Sequence, residues 1–216
     1  ERLVLARTAL INQLRAVLLE RGIILPKGRS VLIRRLDEVG VDGLASSPRT
    51  RELVKDLRDE CAALDQRIMA YDAEFAALTR DDVQARRLSG IPGIGAINAT
   101  ALLAAVGDGS AFARGRDLAA WLGLTPRQHS TGGKTKMLGI SKRGNRYLRK
   151  QLIHGARAAL PHLAAKPTRM GDWLRNMLAR SHPNVVVVAL AAKLARVIWA
   201  VLRHEKNFDP GAAAAA

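Results

Sequence analysis

Residues 88–107 read LSGIPGIGAINATALLAAVG, and this stretch decides the fold of the chain around it. Gly90, Gly93 and Gly95 follow the spacing G-x-x-G-x-G, and no apolar strand precedes them. The spacing therefore differs from the G-x-G-x-x-G fingerprint of dinucleotide-binding folds. From Ala96 onward the apolar residues recur as they do in a helix. The stretch predicts two short helices joined by a glycine-rich turn.

A turn of this kind resembles the helix-hairpin-helix motif. In that motif, backbone N–H groups of the turn and of the second helix's N-terminus face a phosphate of DNA, and here they belong to Gly93 and Gly95. Phosphate contacts do not read base identity, so they position a protein on DNA without specifying a sequence. The alternative is a tight turn between helices that only packs inside its domain.

Charge is distributed unevenly along the chain. Residues 1–84 hold 14 basic and 14 acidic residues, whereas residues 85–216 hold 21 basic and 5 acidic ones. The whole net charge of +16 therefore lies in the second part, and no acidic residue occurs between Asp117 and Asp172. A field of one sign attracts a polyanion, and nucleic acid is the usual one. A surface that only confers solubility would intersperse acids among the bases.

Residues 129–135, HSTGGKT, raise a question of chemistry. The Gly-Lys-Thr ending matches that of a P-loop, but the P-loop spacing requires glycine where this chain has Gln128, which excludes a nucleotide cradle. Hydroxyl side chains lie among cations here, at Ser130, Thr131, Thr135 and Ser141. Exposed hydroxyls among cations suit nucleophilic attack on a phosphodiester, and a basic loop that only binds phosphate has the same composition. His129 is either a general base for Ser130 or a polar loop residue.

The first 84 residues are predicted to be helical. Apolar residues recur at helical spacing from Leu3 to about residue 21, and a second, short helix is expected over residues 30–39. A long helix is predicted from about residue 48 to 78, where apolar residues follow a near-heptad seam. This helix is half of a coiled coil or a dimer contact, or else an ordinary amphipathic helix packed within one domain.

These patterns predict a mainly α fold. A long helical or coiled-coil region at residues 1–84 precedes a compact helical domain at residues 85–207, and residues 208–216 are expected to form a disordered tail. The compact domain contains the helix-hairpin-helix and a small β-hairpin around Gly132-Gly133, because Gly-Gly supplies the positive φ that tight turns need.

Several classes of protein do not fit the composition. The single cysteine, Cys61, excludes an internal disulfide framework, and no Cys/His cluster has zinc-ligand spacing. The best apolar run, residues 185–201, is interrupted by Lys193 and Arg196, and no leader peptide is visible. We therefore expect a cytoplasmic protein with no metal site in this chain and no membrane partner.

Six stretches together resemble one known family. They are GIPGIG at 90–95, GD at 107–108, Phe112, LAAWLGLTPRQ at 118–128, STGGK at 130–134 and GISKRGN at 139–145. In order and spacing they are similar to the C-terminal half of DEDD-type bacterial insertion-sequence transposases, whose characterised members are serine recombinases guided by a structured "bridge" RNA. The resemblance covers residues 85 to about 205.

The resemblance implies a composite active site. A resolvase-like N-terminal domain holds Mg²⁺ on four acidic residues, and the C-terminal domain supplies a serine that becomes covalently joined to DNA phosphate. The partners so implied are DNA, the element's guide RNA, and a second copy in a homodimer or higher oligomer. The acidic domain is expected to precede residue 1, so this chain alone is expected to hold no cofactor and to bind nucleic acid without strand transfer.

Carried onto this sequence, the catalytic serine falls on Ser130. Ser141 is the second candidate, and it is expected instead to cap the helix that follows it. The predicted nucleic-acid-binding residues are Gly93, Gly95, Arg127, Lys134, Lys136, Lys142, Arg143, Arg146, Arg149 and Lys150. The alternative function is a helix-hairpin-helix DNA-binding module without chemistry.

Overall fold

A computed structural model of the chain describes residues 1–25, 27–44 and 47–209. Over these ranges it has nine helices and one two-stranded antiparallel sheet, which confirms the predicted fold class. The chain divides into two compact units, Glu1–Ala73 and Glu74–Ala216. Residues 45 and 46, between the second and third predicted helices, and residues 210–216 of the predicted tail lie outside the described residues.

The first unit contains α1 (Arg2–Leu19), α2 (Arg29–Leu44) and most of α3 (Pro48–Asp81). One apolar cluster joins the three helices: Ile11, Leu14, Leu18, Leu32, Leu36, Val54, Leu57 and Cys61. Beside it, Asp65 accepts hydrogen bonds from Arg7 at 2.7 Å and from Arg29 at 2.5 Å. One carboxylate on α3 thus binds a cation from each of the other two helices.

The near-heptad seam of α3 is only partly covered. Cys61 is the last fully buried residue of the seam. Further along it, Leu64, Ile68 and Phe75 are half-buried, and the side chains of Tyr71 and Leu78 are 47% and 49% exposed. The first half of the long helix is therefore an ordinary amphipathic helix of this unit. A coiled-coil partner for the second half stays a prediction.

The second unit is organised around its last helix. Its elements are α4 (Val83–Ser89), α5 (Ala96–Val106), α6 (Gly115–Trp121), β1 (Pro126–Thr131), β2 (Lys134–Ile140), α7 (Arg146–Ala165), α8 (Arg169–Leu178) and α9 (Pro183–His204). Helices α4, α6, α7 and α8 pack against α9, and α5 packs against α4 and α7. Leu190, Leu194 and Ile198 of α9 are completely buried in this core.

By length and composition alone, α9 could also cross a membrane. It has 22 residues and a mean hydropathy of 2.3 in its most apolar window, of which 61% is buried inside the fold. The central helix of a folded core has the same composition, because it is covered on most sides. Even Lys193 is buried here, with its ammonium group 5.3 Å from the centre of the Trp173 ring. We interpret α9 as this core helix.

Helix α7 begins later than the sequence prediction placed it. Its N-cap is Asn145, whose side chain accepts a hydrogen bond from the Leu148 amide at 3.1 Å. The expectation that Ser141 caps this helix is therefore wrong, because Ser141 lies four residues earlier and its amide donates to the Thr125 carbonyl. At the other end, α7 continues through Pro161, which has no N–H to donate, and stops at Ala165.

Candidate nucleic-acid interface and serine site

Ser130 lies on an exposed β-hairpin that the short turn at Gly132 and Gly133 closes. Both glycines have positive φ, 55° and 76°, as a tight turn matched to strand twist requires. All residues of β1 and all of β2 except Ile140 are exposed. An isolated two-stranded hairpin is marginally stable in water, so this one depends on how its base is held.

The strand register sorts the hairpin's side chains onto two faces. Ser130 pairs with Thr135 and Gln128 with Met137, whereas His129 pairs with Lys136 and Thr131 with Lys134. Cross-strand partners share a face and successive residues alternate between faces. One face therefore carries Ser130, Thr135, Gln128 and Met137, and we call it the hydroxyl face. The other carries His129, Thr131, Lys134 and Lys136, and we call it the cationic face.

The division of the hairpin into two faces determines which neighbouring side chains can act on the Ser130 hydroxyl. The Oγ atoms of Ser130 and Thr135 are 3.2 Å apart, within hydrogen-bond distance. His129 points to the opposite face, which argues against its acting as the general base for Ser130 in this conformation. Lys134 and Lys136 also lie on the cationic face, so they are placed for phosphates other than one that Ser130 could attack.

A close glycine contact fixes the base of the hairpin. Gly123 precedes β1 and Gly144 follows β2, and both have positive φ, 70° and 93°. A Cβ on Gly123 would lie 1.9 Å from the Arg143 carbonyl oxygen, and one on Gly144 would lie 1.8 Å from the Trp121 carbonyl oxygen. Any side chain at either position would force the two backbone segments apart.

Arg149 binds the same two segments from inside the domain. It is only 9% exposed, and its guanidinium donates to the carbonyl oxygens of Leu122 at 3.0 Å and Arg143 at 3.3 Å. Arg149 therefore holds the hairpin base, and its burial leaves it poorly placed for the predicted phosphate contact, which stays a prediction. An arginine suits this task because its planar group donates in several directions at once.

The turn between α4 and α5 packs against the middle of α7. At Gly93 a Cβ would lie 2.4 Å from the Gly155 carbonyl oxygen, and the Asn98 amide group lies 3.4 Å from the Gly93 carbonyl oxygen and 3.5 Å from that of Gln151. Glycine at position 93 thus allows the backbone of the turn to approach the backbone of α7 closely. Gly95, the N-cap of α5, is exposed and has no side-chain cap, which leaves the start of α5 facing outward.

The remaining predicted contacts are exposed cations around the hairpin. Lys134, Lys136 and Arg127 lie on the strands, and Lys142 and Arg143 lie in the segment before α7. Arg146 and Lys150 are one turn apart on the first part of α7, and the Lys150 ammonium lies 5.6 Å from the centre of the Tyr147 ring. Helix α7 thus brings together the hairpin base, at Arg149, and the α4–α5 turn, at Gly155.

No group of three or more His, Cys, Asp or Glu side chains suited to a metal was found within residues 1–25, 27–44 and 47–209. The structure pairs Thr135 of the predicted hydroxyl cluster with Ser130 and adds close backbone contacts at Gly123, Gly144 and Gly155. No local sequence pattern indicates these contacts, because each glycine is needed only where two distant segments meet.

In comparison with known proteins, residues 85–169 match the model of a family described as "Transposase IS116/IS110/IS902 family". The chain is 45% identical over 212 residues to a "Probable family 20 transposase" of Pseudomonas aeruginosa, covering 97% of this chain and 63% of that protein. It is 39% identical to the transposase of IS1111A from Coxiella burnetii (98% and 58% covered) and 41% identical to that of IS1328 from Yersinia enterocolitica (96% and 61% covered). The chain thus spans about three fifths of the length of these curated relatives.

Proposed function

We propose that this chain is the DNA-binding, serine-bearing portion of an insertion-sequence transposase, because residues 85–169 match the model of the IS116/IS110/IS902 transposase family. Its role in DNA transposition is to bind the element's DNA and to present Ser130 to a phosphodiester. The single observation that carries this proposal is the exposed Ser130 on a hairpin whose base is rigidly held, inside a region with no acidic residue.

The nucleophilic step needs more than this chain. Ser130 Oγ would form a bond to phosphorus while the phosphorus–oxygen bond to the leaving strand breaks. The hydroxyl face holds no cation to neutralise the charge that develops on phosphorus. We propose that Mg²⁺ bound to a separate acidic, resolvase-like domain supplies that charge and that this chain alone does not transfer strands.

Nucleic-acid binding rests on charge and on the turn geometry. The exposed cations of the hairpin and of α7 suit phosphate contacts, and the outward-facing start of α5 at Gly95 offers backbone N–H groups to a phosphate. We propose DNA and a structured guide RNA as the two ligands, with a second copy of the protein completing the assembly in the cytoplasm.

A second candidate function is a DNA-binding module without chemistry. The α4–α5 turn favours it, because two short helices, a glycine-rich turn and an uncapped second helix would suffice for sequence-independent binding. The two functions differ in what Ser130 does.

The test uses a chimera in which this chain replaces the matching segment of the Pseudomonas aeruginosa relative. With labelled element-end DNA and guide RNA, the chimera is expected to form a covalent protein–DNA adduct that Ser130→Ala abolishes. Ser141→Ala is the matched control, and it should leave the adduct. Salt-dependent DNA binding should be the same in both variants. Adduct formation by the Ser130→Ala chimera would contradict the role of Ser130 as nucleophile and favour the binding-module function.

A further inference from the structure

The hydroxyl face of the hairpin contains a second residue suited to the chemistry of Ser130. The strand register sets Thr135 directly opposite Ser130, and their hydroxyl oxygens are 3.2 Å apart. Only the pair formed by Thr131 and Lys134 lies between the Ser130–Thr135 pair and the turn. The two-residue turn therefore fixes the position of Thr135 relative to Ser130.

The other hairpin side chains are poorly placed to orient the Ser130 hydroxyl. His129 and both lysines project from the cationic face, and Gln128 and Met137 form the next pair along the hydroxyl face. Thr135 is the residue whose hydroxyl lies within hydrogen-bond distance of Ser130 Oγ. Either hydroxyl can be the donor, and both arrangements hold the Ser130 oxygen in one place.

An exposed serine otherwise exchanges among three side-chain rotamers. Threonine is β-branched and stiff at χ1, so its hydroxyl is a well-fixed partner across the strands. A hydrogen bond to it favours one rotamer of Ser130. Holding a nucleophile in one orientation lowers the entropy that must be lost on the way to the transition state.

We propose that Thr135 is a positioning residue for Ser130, an inference that rests on the proposed function of Ser130 as the nucleophile. Thr135 keeps Ser130 Oγ in the rotamer from which it attacks phosphorus. In that step the Oγ–P bond forms and the P–O bond to the leaving strand breaks. The serine proton passes to water, and the leaving oxygen takes a proton from water. Thr135 itself neither gains nor loses a proton.

The geometric half of the proposal is tested in this chain by NMR. Three-bond couplings from the Ser130 Hβ protons to its Hα and to its amide nitrogen report the χ1 populations. The wild-type chain is expected to show one dominant rotamer, Thr135→Val an average over several, and Thr135→Ser a return toward one. Thr131→Val is the matched control, because the same change lies on the cationic face. Averaged couplings in the wild type, or couplings unchanged in Thr135→Val, overturn the proposal.

The functional half is tested in the chimera described above, at saturating DNA. Thr135→Val is expected to slow covalent adduct formation about tenfold, as the loss of one oriented hydrogen bond implies, with no change in DNA affinity. Thr135→Ser should restore most of the rate, and Thr131→Val should match wild type. Weaker binding at an unchanged rate overturns the role of Thr135. The Ser130→Ala variant separates the two hypotheses. Adducts formed by that variant would show that Ser130 is not the nucleophile. An unchanged adduct rate in Thr135→Val would show only that Thr135 does not position Ser130.

Discussion

The glycine contact at the hairpin base predicts a large loss of stability in Gly123→Ala. At φ 70° a residue with a Cβ is strained by about 1 kcal/mol, and its Cβ would lie 1.9 Å from the Arg143 carbonyl oxygen, far inside contact distance. The clash involves backbone on both sides, so relieving it requires the two segments to separate, at about 2 kcal/mol more. The total of about 3 kcal/mol corresponds to a fall in Tm of about 6–12 °C for a unit of this size.

Two other glycines of the hairpin allow the cost of backbone strain to be measured apart from the cost of the steric clash. Gly133 has positive φ, 76°, but a Cβ there would meet no atom within 4 Å, so Gly133→Ala should cost only about 1 kcal/mol. Gly139 has neither feature, so Gly139→Ala should be neutral or slightly stabilising. Tryptophan fluorescence during thermal unfolding is the assay, because all three tryptophans lie beyond residue 84. Equal Tm values for Gly123→Ala and Gly133→Ala would refute the contact between the two segments.

Three further predictions concern charged side chains. Arg149→Met should destabilise the second unit by about 2–3 kcal/mol in the same fluorescence assay, because two carbonyl oxygens lose their donor, whereas Arg146→Met, at an exposed position, should cost under about 0.5 kcal/mol. Replacing Lys134 and Lys136 together by Gln should reduce the slope of log K against log salt by about 1.8 in filter binding, and an unchanged slope would show that the cationic face touches no phosphate. Burial alone would raise the pKa of Asp65, but hydrogen bonds from two arginines outweigh it and hold the pKa below the usual value. The stabilisation by Asp65, about 1–2 kcal/mol, is therefore present above about pH 4 and lost as pH falls through the lowered pKa; calorimetry should show that Asp65→Asn destabilises the chain at pH 7 and that this difference shrinks as the pH falls below about 4.

Periodicity and turn chemistry predicted most of the fold. The two short helices with their glycine-rich turn at residues 83–106 and the hairpin at Gly132-Gly133 follow from local sequence patterns, because glycine spacing and helical repeats act over a few residues. The two faces of the hairpin were also implicit in the sequence. A two-residue Gly-Gly turn pairs Thr131 with Lys134 and Ser130 with Thr135, which separates the serine from the lysines.

The contacts between distant segments could not be read in the same way. Gly123, Gly144 and Gly155 each accommodate backbone from elsewhere in the fold, and nothing in their local sequence indicates which segment approaches. Arg149 is an intermediate case. Its charge suggested a surface contact, although it continues the buried stripe of Leu152, Ala156, Ala159 and Leu163 at helical spacing. Helical periodicity therefore contained the signal that this arginine faces inward.

Mass spectrometry of the covalent protein–DNA adduct, after nuclease and protease digestion, identifies the residue that carries the DNA phosphate. The assignment of Ser130 as the nucleophile predicts a phosphate-linked nucleotide on the peptide that contains Ser130, and no such adduct from the Ser130→Ala chimera. A nucleotide attached at Ser141 or another residue, or an adduct that survives Ser130→Ala, would contradict it.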